Sequence, residues 1–221
     1  MLATLLPDHV AAAESYGDDP AAALFPEEQQ LAAAMRPERR REFATARHCA
    51  RRAALRLGVP PGPLLPGPGG APHWPAGIVG SLTHCRGYRA AALAHRSGAR
   101  AVGIDAEPHR PLPPGMLARI ALPEERADQR ALRETDAAVC WDRLLFCAKE
   151  AVYKVWSPLT RAWLGFHEAT IALHPAGTFR ARVLRTPPDG TATDVPAVLD
   201  GTWLAAPRLL LAAIVVPPAA P

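Results

Sequence analysis

The sequence predicts an α+β protein built as two similar, pseudo-duplicated halves, each a long helix followed by about three short strands. Three observations carry this prediction. Two stretches, Pro37 to Gly58 and about Asp136 to Trp156, repeat apolar residues every three or four positions, as a helix with one buried face requires. Each is followed by short apolar runs of strand length separated by turn residues. Proline-rich and turn-rich segments at 60–75 and 108–114 punctuate the chain. The echo is architectural; sequence identity between the halves is not visible. A crevice between two such halves is the default place for a ligand.

In chain order, Glu27–Met35 is a short helix candidate. Pro37 suits a first helical turn and Gly58 a C-terminal stop, with Phe43, Ala46, Ala50, Ala54 and Leu57 forming the apolar stripe between them. Residues 60–75 hold seven prolines, too many for a helix or a central strand. Strand-like runs follow at Ile78–Leu82, Arg89–Ala94 and Ala101–Ile104, and Met116–Ala121 reads as a short helix. Asp136 can cap the second long helix, with Trp141, Leu144, Leu145, Ala148, Val152, Val155 and Trp156 turned inward and Pro158 closing it. Apolar strands are expected near Thr170–Leu173, Phe179–Leu184, Gly201–Leu204 and Leu209–Val216, with tight turns at Asp189-Gly190 and Asp200-Gly201.

Length and composition narrow the class. A chain of 221 residues with 49% apolar content can bury a sizeable core. Its most apolar stretch, Leu209–Val216, has only strand length, so no membrane span is expected. The alanine-rich start lacks a basic leader and is interrupted by Asp8, Glu14, Asp18 and Asp19, which reads as no signal peptide and a cytoplasmic protein. Cys49, Cys85, Cys140 and Cys147 form no CxxC pair and read as buried free thiols. The charge of +4 and pI of about 9.2 are mildly basic. Only two of the 25 basic residues are lysines, Lys149 and Lys154, five positions apart, which points to a place where an ammonium is needed.

Four groups of residues could carry chemistry. In Gly103-Ile104-Asp105-Ala106-Glu107, an extended backbone puts Asp105 and Glu107 on one face, where two carboxylates suit a hard cation. Taken alone, such a pair equally marks a solvated strand end. In the stretch from Phe146 to Lys154, Glu150 and Lys154 share a helix face and Lys149 is turned about a quarter of the way round; a third carboxylate and a phosphate-binding ammonium, or an ordinary surface ion pair, would look alike. Gly80-Ser81-Leu82-Thr83-His84 could bind phosphate or ribose, or be a turn with a hydrogen-bonded histidine; no G-x-S-x-G elbow supports a nucleophilic serine. Arg36, Arg39, Arg40, Arg41, Arg47, Arg51 and Arg52 make the first helix basic, with Arg40, Arg47 and Arg51 near one face. Guanidinium forks suit phosphates, and a solvated face is the plain alternative. A nucleic-acid patch lacks stacking aromatics there, since Phe43 sits on the apolar stripe.

Together these segments resemble the Sfp/EntD-type 4′-phosphopantetheinyl transferases, most closely the actinobacterial branch. The resemblance rests on residues 39–55, 73–94, VGIDAEP at 102–108, WDRLLFCAKEAVYKVW at 141–156 and PLTRAWLGF at 158–166. GxDxE with a downstream W/F-x-x-K-E-A-x-x-K, here from Phe146 to Lys154, is far more specific than either part alone. The resemblance implies two α+β halves, 1–101 and 102–221, each a helix packed on a small antiparallel sheet, with coenzyme A in the crevice between them. It implies that Asp105, Glu107 and Glu150, with the Ala106 carbonyl or a water on it, hold Mg²⁺ (Mn²⁺ being the alternative). Lys149 and Lys154 would neutralise the pyrophosphate, Arg39 and Arg47 would hold the 3′-phosphate, Thr83 and His84 would contact nucleotide and phosphates, and the Gly69, Gly70, Ala71 and Pro72 backbone would line the adenine pocket. Several relatives carry a basic residue near position 69, where this chain has Gly69.

The implied reaction is attack of a carrier-protein serine on the β-phosphorus of coenzyme A, expelling adenosine 3′,5′-bisphosphate. Asp105, Glu150 and Lys154 are its catalytic residues, with Glu150 or a water on the metal taking the serine proton. The partners expected are apo acyl carrier protein, peptidyl carrier protein or polyketide synthase carrier domains, met by a monomer, with no nucleic acid and no membrane. The carrier is expected to dock near Met116–Ala121 and the 158–166 loop. Two rivals use the same features: a metal-dependent pyrophosphohydrolase with water as nucleophile, and a nucleic-acid module on the arginine-rich helix.

Overall fold

The structure, a computed structural model, describes residues 1–67, 70–188 and 195–218. After a 3-10 turn at Leu2–Leu5 come β1 (Val10–Ser15), α1 (Pro26–Ala32), α2 (Pro37–Arg56), β2 (Ile78–Cys85), β3 (Tyr88–His95) and β4 (Ala101–Pro108). Then follow α3 (Met116–Ile120), α4 (Pro123–Thr135), α5 (Trp141–Thr160), a 3-10 turn at Phe166–Glu168, and β5 (Ala169–His174), β6 (Thr178–Val183), β7 (Val198–Ala206) and β8 (Leu209–Val216). All pairings are antiparallel: a three-stranded sheet in the order β1-β3-β2 and a five-stranded sheet in the order β4-β8-β7-β6-β5. The expectation of an α+β protein with two helix-on-sheet halves is met.

The side-chain alternation of the strands stacks these parts into layers. Ala91 and Leu93 of β3 pack with Cys49, Ala50, Ala53 and Ala54 of α2. Ala90, Ala92 and Ala94, on the other face of β3, pack with Val102, Ile104 and Ala106 of β4 and with Leu211 and Ala213 of β8. The opposite face of β8, Leu210, Ala212, Ile214 and Val216, meets Leu144, Leu145, Ala148 and Val152 of α5. The order is therefore helix, sheet, sheet, helix, and the middle layer belongs to both halves.

Edge strands β2 and β4 lie side by side, linked by side chains: the Ile104 N–H donates to Ser81 Oγ (3.1 Å), and the Thr83 hydroxyl donates to Asp105 Oδ1 (3.1 Å). On the α5 side of β4, Gly103 allows close approach. A Cβ there would collide with the Ala151 carbonyl oxygen and stand 2.7 Å from Val155 Cγ2.

Several sequence expectations change. Asp136 ends α4 and does not start α5, which begins at Trp141; the Trp141 indole N–H donates to the Asp136 carbonyl (2.8 Å). Pro158 lies inside the last turn of α5, which runs on to Thr160 and stops at Arg161 in the left-handed region (φ 56°). A proline so near the end forfeits a single helical bond, and the Thr160 hydroxyl donates to the Trp156 carbonyl there (2.9 Å). Asp200-Gly201 is no turn but part of β7, paired with Arg180 and Phe179. Gly201 is needed there because a Cβ would collide with the Phe179 ring. The Asp189-Gly190 turn lies outside the described residues.

β1 and α4 were not anticipated. β1 (VAAAES) is strand only because each residue pairs with β3, Ala12 opposite Ala92 among them. α4 hides its helical stripe because its buried residues are Glu125, Gln129 and Leu132, two of them polar.

Gly103→Ala is expected to cost about 3 kcal/mol or more of stability, because backbone and not a flexible tip stands where the methyl must go. Urea unfolding of the variant checks this; a midpoint equal to the wild type would refute the close approach of β4 to α5.

Candidate active site

β4 and α5 meet where the expected chemistry lies. Asp105, two residues past Gly103 and 6% exposed, points to the α5 side of its strand. Lys154 of α5 donates to Asp105 Oδ1 (2.7 Å) and to the Ile104 carbonyl (3.0 Å). Thr83 supplies a second donor to the same Oδ1, so the carboxylate is fixed from β2 and α5 together. The other oxygen, Oδ2, is buried with no hydrogen-bond partner among the described residues. The buried Cys147 thiol alongside donates to the Leu210 carbonyl (3.9 Å) and stays protonated, its pKa pushed well up by burial and by the Asp105 charge.

Glu150, one turn before Lys154, faces the same space. Burial pushes its carboxyl up, the charge of Asp105 adds to this, and Lys154 opposes. Glu107 is pushed up by burial and again by Asp105, against the pull of Arg143. Arg143 donates to Glu107 Oε2 (2.9 Å) and to the carbonyls of Arg110 (3.3 Å) and Pro111 (3.1 Å).

These residues fit a hard divalent cation. The Asp105 charge opposes ionisation of both Glu107 and Glu150, and Asp105 Oδ2 is a buried acceptor with nothing to accept from among the described residues, both of which a cation would relieve. Among the described residues no three His, Cys, Asp or Glu side chains are gathered tightly enough to enclose an ion alone. That matches an ion that keeps waters and takes oxygens from a substrate phosphate.

A crevice of about 640 Å³ opens from this point toward the first half. Asp105, Glu150 and Lys154 line one end; Arg39, Arg47, Thr83, His84 and the loop Gly70–Pro72 line the rest, with Phe43, Trp74 and Tyr153 as aromatic walls. His84 Nε2 is bonded to the Arg39 guanidinium. A guanidinium only donates, so this nitrogen accepts and the ring proton sits on Nδ1. Burial, then the Arg39 charge, lowers the His84 pKa and keeps the ring neutral. Arg39 is held from below by Glu42 (3.3 Å), which also pairs with the buried Arg89 (3.2 Å).

Arg47 lies over the Phe43 ring, 3.3 Å from its centre, and donates Nε–H to the Leu64 carbonyl (3.1 Å). Burial lowers its pKa to about 10, which leaves it a cation at neutral pH.

Three expected residues do not line the crevice. Lys149 does not reach the crevice. Its ammonium, 4% exposed, donates to the carbonyls of Phe166 (2.7 Å) and Ala169 (2.7 Å) and pairs with Glu125 (2.9 Å). Burial lowers its pKa against the pull of Glu125. It holds the 164–169 segment beside Glu150. Ala106 is 1% exposed with its methyl between the sheets, so only its carbonyl remains to offer. Glu107 is clamped by Arg143 outside the crevice lining. Gly69 lies outside the described residues.

The supporting acids Glu28 and Glu125 were missed, though a sequence signal existed. Phe25-Pro26-Glu27-Glu28 and Leu122-Pro123-Glu124-Glu125 are the same opening on α1 and α4. Each second glutamate is fully or almost fully buried and accepts from the N–H at its own helix start, Phe25 (3.0 Å) or Leu122 (2.8 Å). Each also accepts a remote N–H, Leu64 (2.8 Å) or Ile171 (2.7 Å), and pairs with a cation on the following long helix.

Comparison with known proteins agrees with this geometry. A model of the 4′-phosphopantetheinyl transferase N-terminal domain matches residues 27–94, and one of the 4′-phosphopantetheinyl transferase superfamily matches residues 101–203. The chain is 50% identical to the 4′-phosphopantetheinyl transferase Svp of Streptomyces mobaraensis, over 98% of this chain and 89% of the relative. It is 49% identical to the 4′-phosphopantetheinyl transferase PptT of Mycobacterium tuberculosis, over 97% of each chain. It is 48% identical to the 4′-phosphopantetheinyl transferase Npt of Nocardia iowensis, over 97% of this chain and 99% of the relative. The chain belongs to the 4′-phosphopantetheinyl transferase superfamily.

Two outcomes are expected of this transferase. Lys149→Met leaves Glu125 as a buried, unpaired charge and costs about 3 kcal/mol of stability, with coenzyme A affinity retained in the folded protein. Calorimetric titration beside chemical unfolding checks it; a loss of affinity without loss of stability would return Lys149 to the phosphates. For Glu150, the folded pKa is raised above the unfolded one. Its protonated form is favoured in the folded state, and stability is lost as pH rises through the folded value. Glu150→Gln therefore raises Tm above pH 7 in the presence of a chelator while removing activity; a lower Tm would contradict the crowding of Asp105 and Glu150.

Proposed function

We infer that the protein transfers the 4′-phosphopantetheine arm of coenzyme A to a serine of apo acyl or peptidyl carrier proteins, giving holo-carrier protein and adenosine 3′,5′-bisphosphate. The observation that carries this reading is the Asp105–Lys154–Glu150 cluster at the end of a crevice whose far side is cationic. In this reading residues 1–101 supply the nucleotide side and residues 102–221 the reacting side. The two family models support that division by matching either side of the β3–β4 turn.

Arg39 and Arg47 hold the 3′-phosphate, and the Gly70–Pro72 loop lies against the adenine. Asp105, Glu107, Glu150 and the Ala106 carbonyl are the oxygens that would hold Mg²⁺, which when bound would polarise the pyrophosphate. Lys154, fixed by Asp105 and the Ile104 carbonyl, stands beside the phosphates and stabilises the departing nucleotide oxygen. The serine Oγ–P bond forms as the bond from the β-phosphorus to the bridging oxygen breaks. Glu150 or a water takes the serine proton. Thr83 acts by keeping Asp105 aligned.

We place the enzyme in the cytoplasm, as a monomer acting on polyketide, peptide or fatty-acyl carriers. Four unpaired thiols suit a reducing compartment, and among the described residues no helix is long and apolar enough to cross a membrane.

Intact mass of an apo acyl carrier protein after incubation with enzyme, coenzyme A and Mg²⁺ tests the reading. A gain of one phosphopantetheinyl group that a chelator abolishes is expected, and Asp105→Ala should lose it altogether. Release of free phosphopantetheine with an unchanged carrier would indicate hydrolysis and replace the reading.

A further inference from the structure

The buried glutamates of the two halves are equivalent in place but not in charge. In the second half one anion, Glu125, meets one cation, Lys149, and the account closes. In the first half one anion, Glu28, meets two: Arg51 at 3.0 Å and Arg47 at 3.6 Å. Glu28 is wholly buried and the two guanidiniums nearly so, with side chains 10% and 12% exposed. Water can do little to screen this trio, so its surplus positive charge must sit on one arginine.

The hydrogen bonds decide which. Arg51 donates Nη1 to both Glu28 oxygens (3.1 and 3.0 Å) and Nη2 to the Ala23 carbonyl, with Phe25 stacked 5.4 Å away. It lies outside the crevice lining. Among the described residues Arg47 spends only Nε–H, on the Leu64 carbonyl, and it lines the crevice. Its two terminal nitrogens are the fork left for an anion.

We propose that Arg51 is a specificity-determining residue: by holding Glu28 it keeps the charge of Arg47 free for the 3′-phosphate, and so sets the preference for coenzyme A over 3′-dephospho-coenzyme A. This rests on the reading that Arg47 meets the 3′-phosphate. Glu28 is a positioning residue in the same device, because its bonds to the Phe25 and Leu64 N–H groups hold α1 and the proline-rich loop around Arg47. Without Arg51, Glu28 would draw Arg47 into a closed pair like that of Glu125 and Lys149.

Calorimetric titration of the full chain with coenzyme A and with 3′-dephospho-coenzyme A tests this. The wild type should prefer coenzyme A, and Arg51→Met should lower that ratio by about tenfold, the size of one charge-assisted contact. Adding Glu28→Gln to Arg51→Met should restore the ratio, which mere loosening of the fold would not do. An unchanged ratio in Arg51→Met, or no recovery in the double variant, overturns the proposal. If Arg51→Met does not fold, Glu28→Gln alone decides: a ratio equal to or above the wild type supports the proposal and a lower one overturns it. A wild type indifferent to the 3′-phosphate overturns the assignment of Arg47 itself, and the proposal with it, while carrier modification would still stand or fall separately.

Discussion

The approach of β4 to the α5 backbone is the contact on which the reacting end depends. Gly103 has no side chain, so the Ala151 turn of α5 seats directly on the strand. Two residues along the strand and one turn along the helix, Asp105 and Lys154 then meet at 2.7 Å. A side chain at 103 would lift the helix, and the ammonium, the carboxylate and Glu150 would separate together. The serine-threonine edge of β2 completes the arrangement by tying Asp105 to the other half.

Much of this was legible because it follows from short periods. Asp105 and Glu107 share a strand face, and Glu150 and Lys154 share a helix face; neither statement needs the tertiary fold. The first long helix was read from Pro37 and Gly58, and the structure begins it at Pro37 and puts Gly58 at φ 73° just beyond its end. What failed to be legible depended on distant partners. Lys149 sits next to Glu150 in sequence, but about 100° round the helix, and its partner Glu125 lies on a helix whose polar buried face concealed it. The alanines of β1 favour a helix in isolation and become a strand only because β3 is there to pair with them. Arg143 could not be connected to Glu107 before β4 and α5 were placed side by side.

The recurrence of F/L-Pro-Glu-Glu shows that the halves share more than architecture. In both, a proline starts a short helix and a buried glutamate fastens that start to a long helix and to a distant loop. The second half uses the fastener for shape alone. The first half adds a second cation, Arg47, on the side of the fastener that lines the crevice.

The alanine-rich middle layer has a mechanical meaning. Ala90, Ala92 and Ala94 are each 0% exposed, interleaved with Val102, Ile104, Leu211 and Ala213 in one shared core. The short side chains of β3 bring the sheets close and interlock with the longer ones of β4 and β8. Two lobes joined in this way are a fixed frame and not a jaw that hinges. A substrate entering the crevice therefore meets walls whose spacing the frame has already set.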